Sequence, residues 1–367
     1  MCYNLSMDSN NNENNYYLKR DDRNLEKIRA ICGDLPHFVR EFIVGIQLRT
    51  STLTRLNYAY DLRIFFDYLS NNVFKGKSAE QITLSDLENL TAFDIELYLD
   101  YLSSYDFCGK HYACGERGKE RKLCSLRSFF KYFFNKDKLS SNVCSKVDLP
   151  KIHEKPIVRL EANEVVELLD RVDSDDIEGV SKRENSYHYI TKERDTAILT
   201  LFLGTGIRIS ELVGLNFEDF DFSSNSFCVT RKGGSRTTLY FSDEIATAIK
   251  KYCAYLERQI NDGTEFGKKI CDQTALFYSI QGKRISVRAV ENLVKKYAKH
   301  ISPLKKITPH KLRSTFGTEL YRNTQDIYVV AAVLGHKDIN TTRKHYAATS
   351  EEIKRKAAKS VKLREED

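Results

Sequence analysis

Two of the chain's five prolines, Pro150 and Pro156, fall in one stretch, NVCSKVDLPKIHEKPIVRL, that has mixed charge and no apolar period. Proline removes a backbone donor and keeps the residue before it extended, so neither a helix nor an inner strand runs through such a stretch. We read it as a linker. A chain of 367 residues, 41% of them hydrophobic, is long enough to bury a separate core on each side. The expected division is a flexible tail over 1–28, a helical part over 29–145, a linker over 146–160 and a second part over 161–367.

In the first part, the polar run DSNNNENN marks the tail. Leu53, Leu56, Tyr60 and Ile64 then recur at helical spacing, with Phe65, Phe66 and Leu69 extending the stripe. Thr91 and Asp94 form a capping-box pattern ahead of a second helix, TAFDIELYLDYL. A third helix is expected over 116–134, where Lys119, Arg121, Lys122, Arg127 and Lys131 interleave with Leu123, Leu126, Phe129, Phe130 and Phe133. Its basic face suits either phosphate contacts or simple solvation. The net charge of +7 is compatible with both.

The second part opens with a helical segment, EANEVVELLDRV, followed by a polar insertion over 173–192. Next comes ERDTAILTLFLGTGIRISELVGL, two helical segments separated by a glycine-containing break. SFCVTRKGGSRTTLYF reads as a β-hairpin turning at Gly233 and Gly234, and helical patterns dominate beyond it. The fold class is therefore mainly α with a small β-hairpin or sheet. The start, MCYNLSMDSN, has no basic segment followed by an apolar one, and apolar runs such as 327–334 are too short to span a bilayer, so a cytoplasmic protein is expected. Nine scattered cysteines argue against a disulfide framework. Cys108, Cys114 and Cys124 with His111 invite a zinc reading, but without a C-x-x-C pair reduced structural thiols are the better account.

Three segments place a cation or imidazole beside a turn. In GTGIRISEL, Arg208 opens a helix after Gly204 and Gly206, with Glu211 one turn later; this suits an anion site or a surface ion pair. In TPHKLRSTFGTEL, Thr308 and Pro309 suit a helix start, which puts His310 and Arg313 on one face. In LGHKDINTTRKHYAAT, Gly335 can end a helix, His336 follows at the turn, and a short helix from about Asn340 would carry Tyr346.

Taken in order, Arg208, Lys232 in the hairpin turn, His310, Arg313, His336 and Tyr346 resemble the motif set of the tyrosine recombinase (phage integrase) family. The resemblance extends from about residue 30 to the end, and VTRKGG, TALF and ITPHKLR are similar to the single-protein Xer-type recombinases, such as the one streptococci use. The family implies an all-α, SAM-like core-binding domain over 29–145 and a catalytic domain over 161–367, together forming a C-shaped clamp on duplex DNA. It implies a site-specific recombinase that passes through a 3′-phosphotyrosyl intermediate and a Holliday junction. Tyr346 would be the nucleophile. Arg208, Arg313 and His336 would hold the phosphate oxygens, Lys232 would protonate the leaving 5′-oxygen, His310 would assist the tyrosine proton, and Glu211 would support the site from its rim. No metal, cofactor or ATP is implied. The partners implied are an inverted-repeat DNA site and a homotetramer on two such sites, joined by exchange of a C-terminal helix within SEEIKRKAAKSVKL. A DNA translocase or directionality factor is a further possible partner. The resemblance also turns the basic face of 116–134 toward DNA.

The chain departs from the Xer pattern in three places. The interval from His336 to Tyr346 is one residue longer than is common there, leaving His345 in the usual tyrosine place; Ser314 stands where many relatives have a second histidine; and the 173–192 insertion is long. Two other readings stay open: a catalytically silent DNA-binding regulator, against which the six filled positions speak, and relaxation of supercoils in the manner of a type IB topoisomerase.

Overall fold

The computed structural model describes residues 15–153, 158–231, 234–270, 272, 274–336 and 338–346, without the side chains of 15, 341 and 344–346. The chain divides into two compact units, 1–155 and 156–367.

The first unit contains α1 (Asn15–Gly33), α2 (His37–Gly45), α3 (Thr52–Tyr68), α4 (Leu84–Glu88), α5 (Ala92–Tyr101), a hairpin of β1 (Tyr105–Phe107) and β2 (Lys110–Tyr112), and α6 (Glu116–Phe134). The tail expected through residue 28 is helical from Asn15. Ile28 and Ile31 are buried, and Asp21, Thr52 and Asn24 join α1 to the start of α3 by hydrogen bonds. The all-helical expectation misses the β1–β2 hairpin, whose strands are three residues each and whose turn holds Cys108 and Gly109 at φ 49° and 71°. Two consecutive positive φ values are what a tight two-residue hairpin turn requires.

Thr91 and Asp94 make the expected reciprocal cap at the start of α5. Along α3 the buried stripe is Leu56, Ala59, Leu62, Phe65 and Phe66, continuing to Leu69 in a π-turn; Leu53 and Tyr60 lie outside it, 52% and 42% exposed. Ala59 and Leu62, rather than the larger Leu53 and Tyr60, sit on the buried face. The core is rich in aromatic rings. Phe129 meets Phe42 and Phe133 edge to face, with centroids 5.3 and 5.2 Å away, and Phe65 meets Tyr98 at 5.1 Å. Such edge-to-face pairs add to the burial energy.

Helix α6 spans the expected residues, but its basic side chains do not share one exposed face. Asp61 of α3, 1% exposed, accepts from Lys122 Nζ at 3.1 Å, from Ser125 Oγ at 2.7 Å and from Arg121. Lys122 is itself 4% exposed. Arg127 donates to the carbonyls of Cys144 and Val147, holding the segment after α6 against the core. Lys122 and Arg127 are therefore internal ties, and their assignment to DNA contact is withdrawn. Arg121 and Lys131 are exposed, and Lys119 is half-buried with its Nζ on Ser103 Oγ at 2.6 Å.

The second unit contains α7 (Ala162–Asp173), α8 (Lys182–Thr205), α9 (Ile209–Leu212), β3 (Phe220–Asp221), β4 (Ser226–Thr230), β5 (Arg236–Tyr240), α10 (Asp243–Asn261), α11 (Glu265–Lys269), α12 (Val287–Ile301), α13 (Pro309–Thr324), α14 (Ile327–Leu334) and α15 (Ile339–Tyr346). Strands β3, β4 and β5 form an antiparallel sheet in that order, with Phe227 opposite Leu239 and Val229 opposite Thr237. Much of the expected polar insertion belongs to α8, which Ser181 and Glu184 cap reciprocally. Its polar residues pack inward. His188 bridges the Ser174 carbonyl and Tyr297, whose hydroxyl donates to Asp195, and Asp195 also pairs with Arg194. A buried face built from polar residues hides the helical period that apolar spacing reveals. Leu160, placed in the expected linker, is buried and donates its N–H to Thr315 Oγ1 at 3.0 Å.

Among the described residues no three His, Cys, Asp or Glu side chains gather as metal ligands would, and no helix is long and apolar enough to cross a membrane.

Removing one member of a buried ion cluster strands the other charge. Asp61→Ala is expected to cost about 3–5 kcal/mol of stability, while the paired change Asp61→Leu with Lys122→Met recovers most of it. Hydrogen exchange at the amides of α3 and α6 in the full chain measures both. Equal loss in the single and double variants would show that the buried lysine is not the source of the cost.

Candidate active site

The site is organised by the end of one short helix. Helix α14 stops at Leu334 because Gly335 takes φ 61°, and the N–H groups of Gly335 and His336 turn back onto the carbonyls of Ala332 and Ala331. A helix leaves its last four carbonyls without partners inside the helix, and this turn satisfies two of them. The next three carbonyls accept from three arginines. Arg231 Nη2 donates to Val333 O at 2.9 Å, Arg313 Nη2 to Leu334 O, and Arg208 Nη2 to Gly335 O at 3.0 Å. Cations are favoured at this end of a helix because its dipole is negative there.

Each arginine arrives from a different element. Helix α8 ends at Gly206, φ 62°, where a Cβ would press on Phe316 and lie 2.9 Å from Leu334 Cδ2. That tight turn delivers Arg208 as the N-cap of α9. Its Nη1 donates to Glu211 Oε1 at 2.8 Å, and its backbone N–H donates to Glu211 Oε2 at 3.0 Å. Glu211 is 4% exposed, so it is a buried anchor for Arg208 rather than a rim residue. Arg313 is 5% exposed on α13 and also donates to the Gly206 carbonyl, so it joins the two glycine turns. Arg231 follows β4 and is half-buried.

His336 is half-buried, and its Nδ1 lies 2.8 Å from the hydroxyl of Thr342, a fully buried residue of α15. Tyr346 is the last residue of that helix, four positions after Thr342. His310 is exposed in the first turn of α13, where its carbonyl accepts from Ser314 Oγ. The structure thus brings Arg208, Glu211, Arg313 and His336 together around the end of α14. Lys232 and the C-terminal segment 347–367 lie outside the described residues, as does the side chain of Tyr346.

Arg231 was missed by the sequence reading, which singled out only its neighbour Lys232. Its one visible signal was a second cation in the hairpin turn. Burial pushes the pKa of its guanidinium down, Glu211 raises it, and Arg208 lowers it further. Among the described residues, three guanidiniums and one carboxylate leave a surplus of positive charge. Such a group can hold a phosphate whose negative charge grows as it is attacked.

The family model of the phage integrase family matches residues 159–352, which contain every element of this site. The chain belongs to the phage integrase family. It is 30% identical over 362 residues to tyrosine recombinase XerS of Lactococcus lactis subsp. cremoris, covering 92% of this chain and 98% of that protein. It is 32% identical over 294 residues to tyrosine recombinase XerC of Caldanaerobacter subterraneus subsp. tengcongensis, covering 78% and 75%. In fold it is similar to XerH site-specific recombinase bound to palindromic difH substrate, with a TM-score of 0.62, 18% identity and coverage of 84% and 80%. A lambda integrase dimer bound to a core site also matches, with a TM-score of 0.58, 16% identity and coverage of 85% and 94%. Proteins of this family cleave and rejoin DNA through a tyrosine.

A Cβ at Gly335 would run into the Arg231 guanidinium, and φ 61° is itself costly for any other residue. Gly335→Ala is therefore expected to lose about 1–3 kcal/mol or more. Gly33→Ala, at a position with open space around it, should stay within about 0.5 kcal/mol of the parent. Urea unfolding of the two variants checks this, and equal midpoints would remove the steric argument.

Proposed function

We propose that this tyrosine recombinase exchanges strands at a specific inverted-repeat site in duplex DNA. The convergence of Arg208, Arg231, Arg313 and His336 at the end of α14, directly before the helix that ends in Tyr346, carries the reading. The Tyr346 oxygen attacks the scissile phosphorus, a P–O bond to tyrosine forms, and the P–O5′ bond breaks. Lys232 gives a proton to the departing 5′-oxygen, and His310 assists removal of the tyrosine proton. Arg208, Arg313 and His336 stabilise the added charge on the non-bridging oxygens. The reverse steps, with a 5′-hydroxyl from the partner duplex, rejoin the strand. The phosphodiester energy is retained in the tyrosyl bond, so no ATP is consumed.

In the same reading the unit over 1–155 is the core-binding domain, and Arg121, Lys131 and Lys119 supply its phosphate contacts from α6. Four copies work on two sites, with the segment 347–367 docking on a neighbouring copy. The protein acts in the cytoplasm, with a DNA translocase or directionality factor as a possible controller. Chromosome dimer resolution and movement of a genetic element both fit; the position of the site in the genome distinguishes them.

The test is covalent trapping. Full-length wild type and Tyr346→Phe are each mixed with fragments of the source genome, and DNA ends attached to protein after detergent are sequenced. Adducts at one inverted repeat, absent from Tyr346→Phe, are expected. Adducts that persist in Tyr346→Phe and vanish in His345→Phe would move the nucleophile one residue. Tight binding without adducts in either protein would favour the silent regulator. Binding should weaken with salt at a slope of about −0.9 per phosphate contact, and Arg121→Ala should lower that slope by about one while Lys122→Met leaves it unchanged.

A further inference from the structure

We propose that Thr342 is a positioning residue whose hydroxyl donates to His336 Nδ1 and so holds the imidazole as the tautomer with its proton on Nε2, the form that can donate to a phosphate oxygen. The inference deepens the recombinase reading above and rests on the role given there to His336.

Both partners are held by the chain around the end of α14. The His336 N–H turns back onto the Ala331 carbonyl at 3.0 Å, which fixes its backbone beside the carbonyls that the arginines use. Helix α15 packs on α13 and α14, and Thr342 is left with no exposed surface. Its Oγ1 lies 2.8 Å from His336 Nδ1. The direction of that bond follows from the hydroxyl. Thr205, Thr315, Thr318 and Thr324, helical threonines of the same unit, give their hydroxyl proton to the carbonyl one turn back, at 2.6, 3.0, 2.9 and 2.8 Å. Bonded in that way, such an oxygen has only lone pairs left for a further partner. Thr342 differs, because it lies in the first turn of α15 and the carbonyl one turn back belongs to Asp338, ahead of the helix. Among the described residues its hydroxyl bonds to His336 alone. A fully buried O–H without an acceptor is costly, so its proton goes to Nδ1. An Nδ1 that accepts carries no proton, and in a neutral imidazole the proton is then on Nε2. With the proton on Nδ1 instead, Nε2 would present a lone pair to the phosphate and repel the charge it is meant to hold.

The tautomer is read first, without DNA. Full-length protein is labelled with heavy nitrogen at histidine, and the His336 ring signals are assigned by their loss in His336→Gln. At about pH 8, above the ordinary histidine range, Nδ1 is expected at the NMR shift of an unprotonated ring nitrogen and Nε2 at that of an N–H. Thr342→Val keeps the shape and removes the hydroxyl; it should lose this preference, and Thr342→Ser should keep it. A protonated Nδ1 in wild type, or an unchanged tautomer in Thr342→Val, would overturn the inference. The wild-type shifts decide it even where Thr342→Val does not fold. Cleavage is then measured in single turnover on the duplex recovered by adduct sequencing. Losing a transition-state donor outright costs about 100–1000-fold. A ring that offers its donor only part of the time should cost less, so Thr342→Val is expected to cleave about 10–100-fold more slowly with an unchanged Kd for the duplex, and Thr342→Ser to recover most of that loss. In a His336→Ala background Thr342→Val should have no further effect, because Thr342 acts through the ring. An equal loss in both backgrounds would make Thr342 a merely structural residue and overturn the inference. A wild type that binds but cleaves no duplex would overturn the recombinase reading instead, and the nitrogen shifts alone would then decide the tautomer.

Discussion

The carbonyls at the end of α14 need donors, and the candidate site follows from where those donors come from. Backbone oxygens that leave a helix without partners must be satisfied by a turn, by water or by side chains. Here a glycine turn satisfies Ala331 and Ala332, and arginines from the β4 hairpin, from α13 and from the turn before α9 satisfy Val333, Leu334 and Gly335. Each contact is an ordinary helix-capping interaction. Together they bring three distant stretches of chain, 208, 231 and 313, to one point within a few ångströms of His336. The same turn passes the chain into α15, where Thr342 meets the His336 ring. Gly206 and Gly335, both left-handed, are the hinges that make the approach close enough.

The first unit follows a different logic. Its charged residues also reach inward, but toward a single carboxylate. Asp61 gathers Arg121, Lys122 and Ser125, and this ties α3 to α6 beneath an aromatic core. A lysine buried that way is of no use to a phosphate outside. The outer turns of α6 still offer Arg121 and Lys131. Reading the helix as one basic face was natural, because the alternation of charge and apolar residues is the same whether a cation is solvated, DNA-facing or paired within the core.

Motifs that depend on local geometry were legible in the residues. Glycines at 206 and 335 marked the turns, proline at 309 marked the start of α13, and Ser226–Thr230 and Arg236–Tyr240 were visible as strands around a turn. The family motifs placed Arg208, Arg313 and His336, and the structure gathers them. What depended on tertiary partners was not legible. Nothing in the sequence says that Ala59 is core and Tyr60 is not, or that His188, Arg194 and Asp195 form the buried side of α8. The depth of Glu211 and the inward turn of Lys122 and Arg127 have the same origin: a charged residue reveals its partner only after the chain has folded. Arg231 was hidden for a related reason, since its role is fixed by Val333 and Gly335, about a hundred residues away in sequence.

The choice of carbonyls over carboxylates as partners leaves most of the cluster's positive charge uncompensated. A carboxylate that holds an arginine offsets part of its charge as well as fixing it in place. A carbonyl fixes the guanidinium just as well and leaves its charge intact, because the oxygen carries only a partial charge. Each such contact engages one of the five N–H groups of a guanidinium, in a fork whose geometry suits two phosphate oxygens. The single carboxylate, Glu211, pairs with Arg208 and with its backbone, so it sets the direction of one arginine while the cluster keeps its surplus of positive charge. Holding like charges close together in a protein is unfavourable; at Arg231 burial pushes the pKa down, Glu211 raises it, and Arg208 lowers it. In the proposed reaction a bound phosphate would relieve that repulsion, and relief that grows as negative charge builds during attack is the part that would raise the rate.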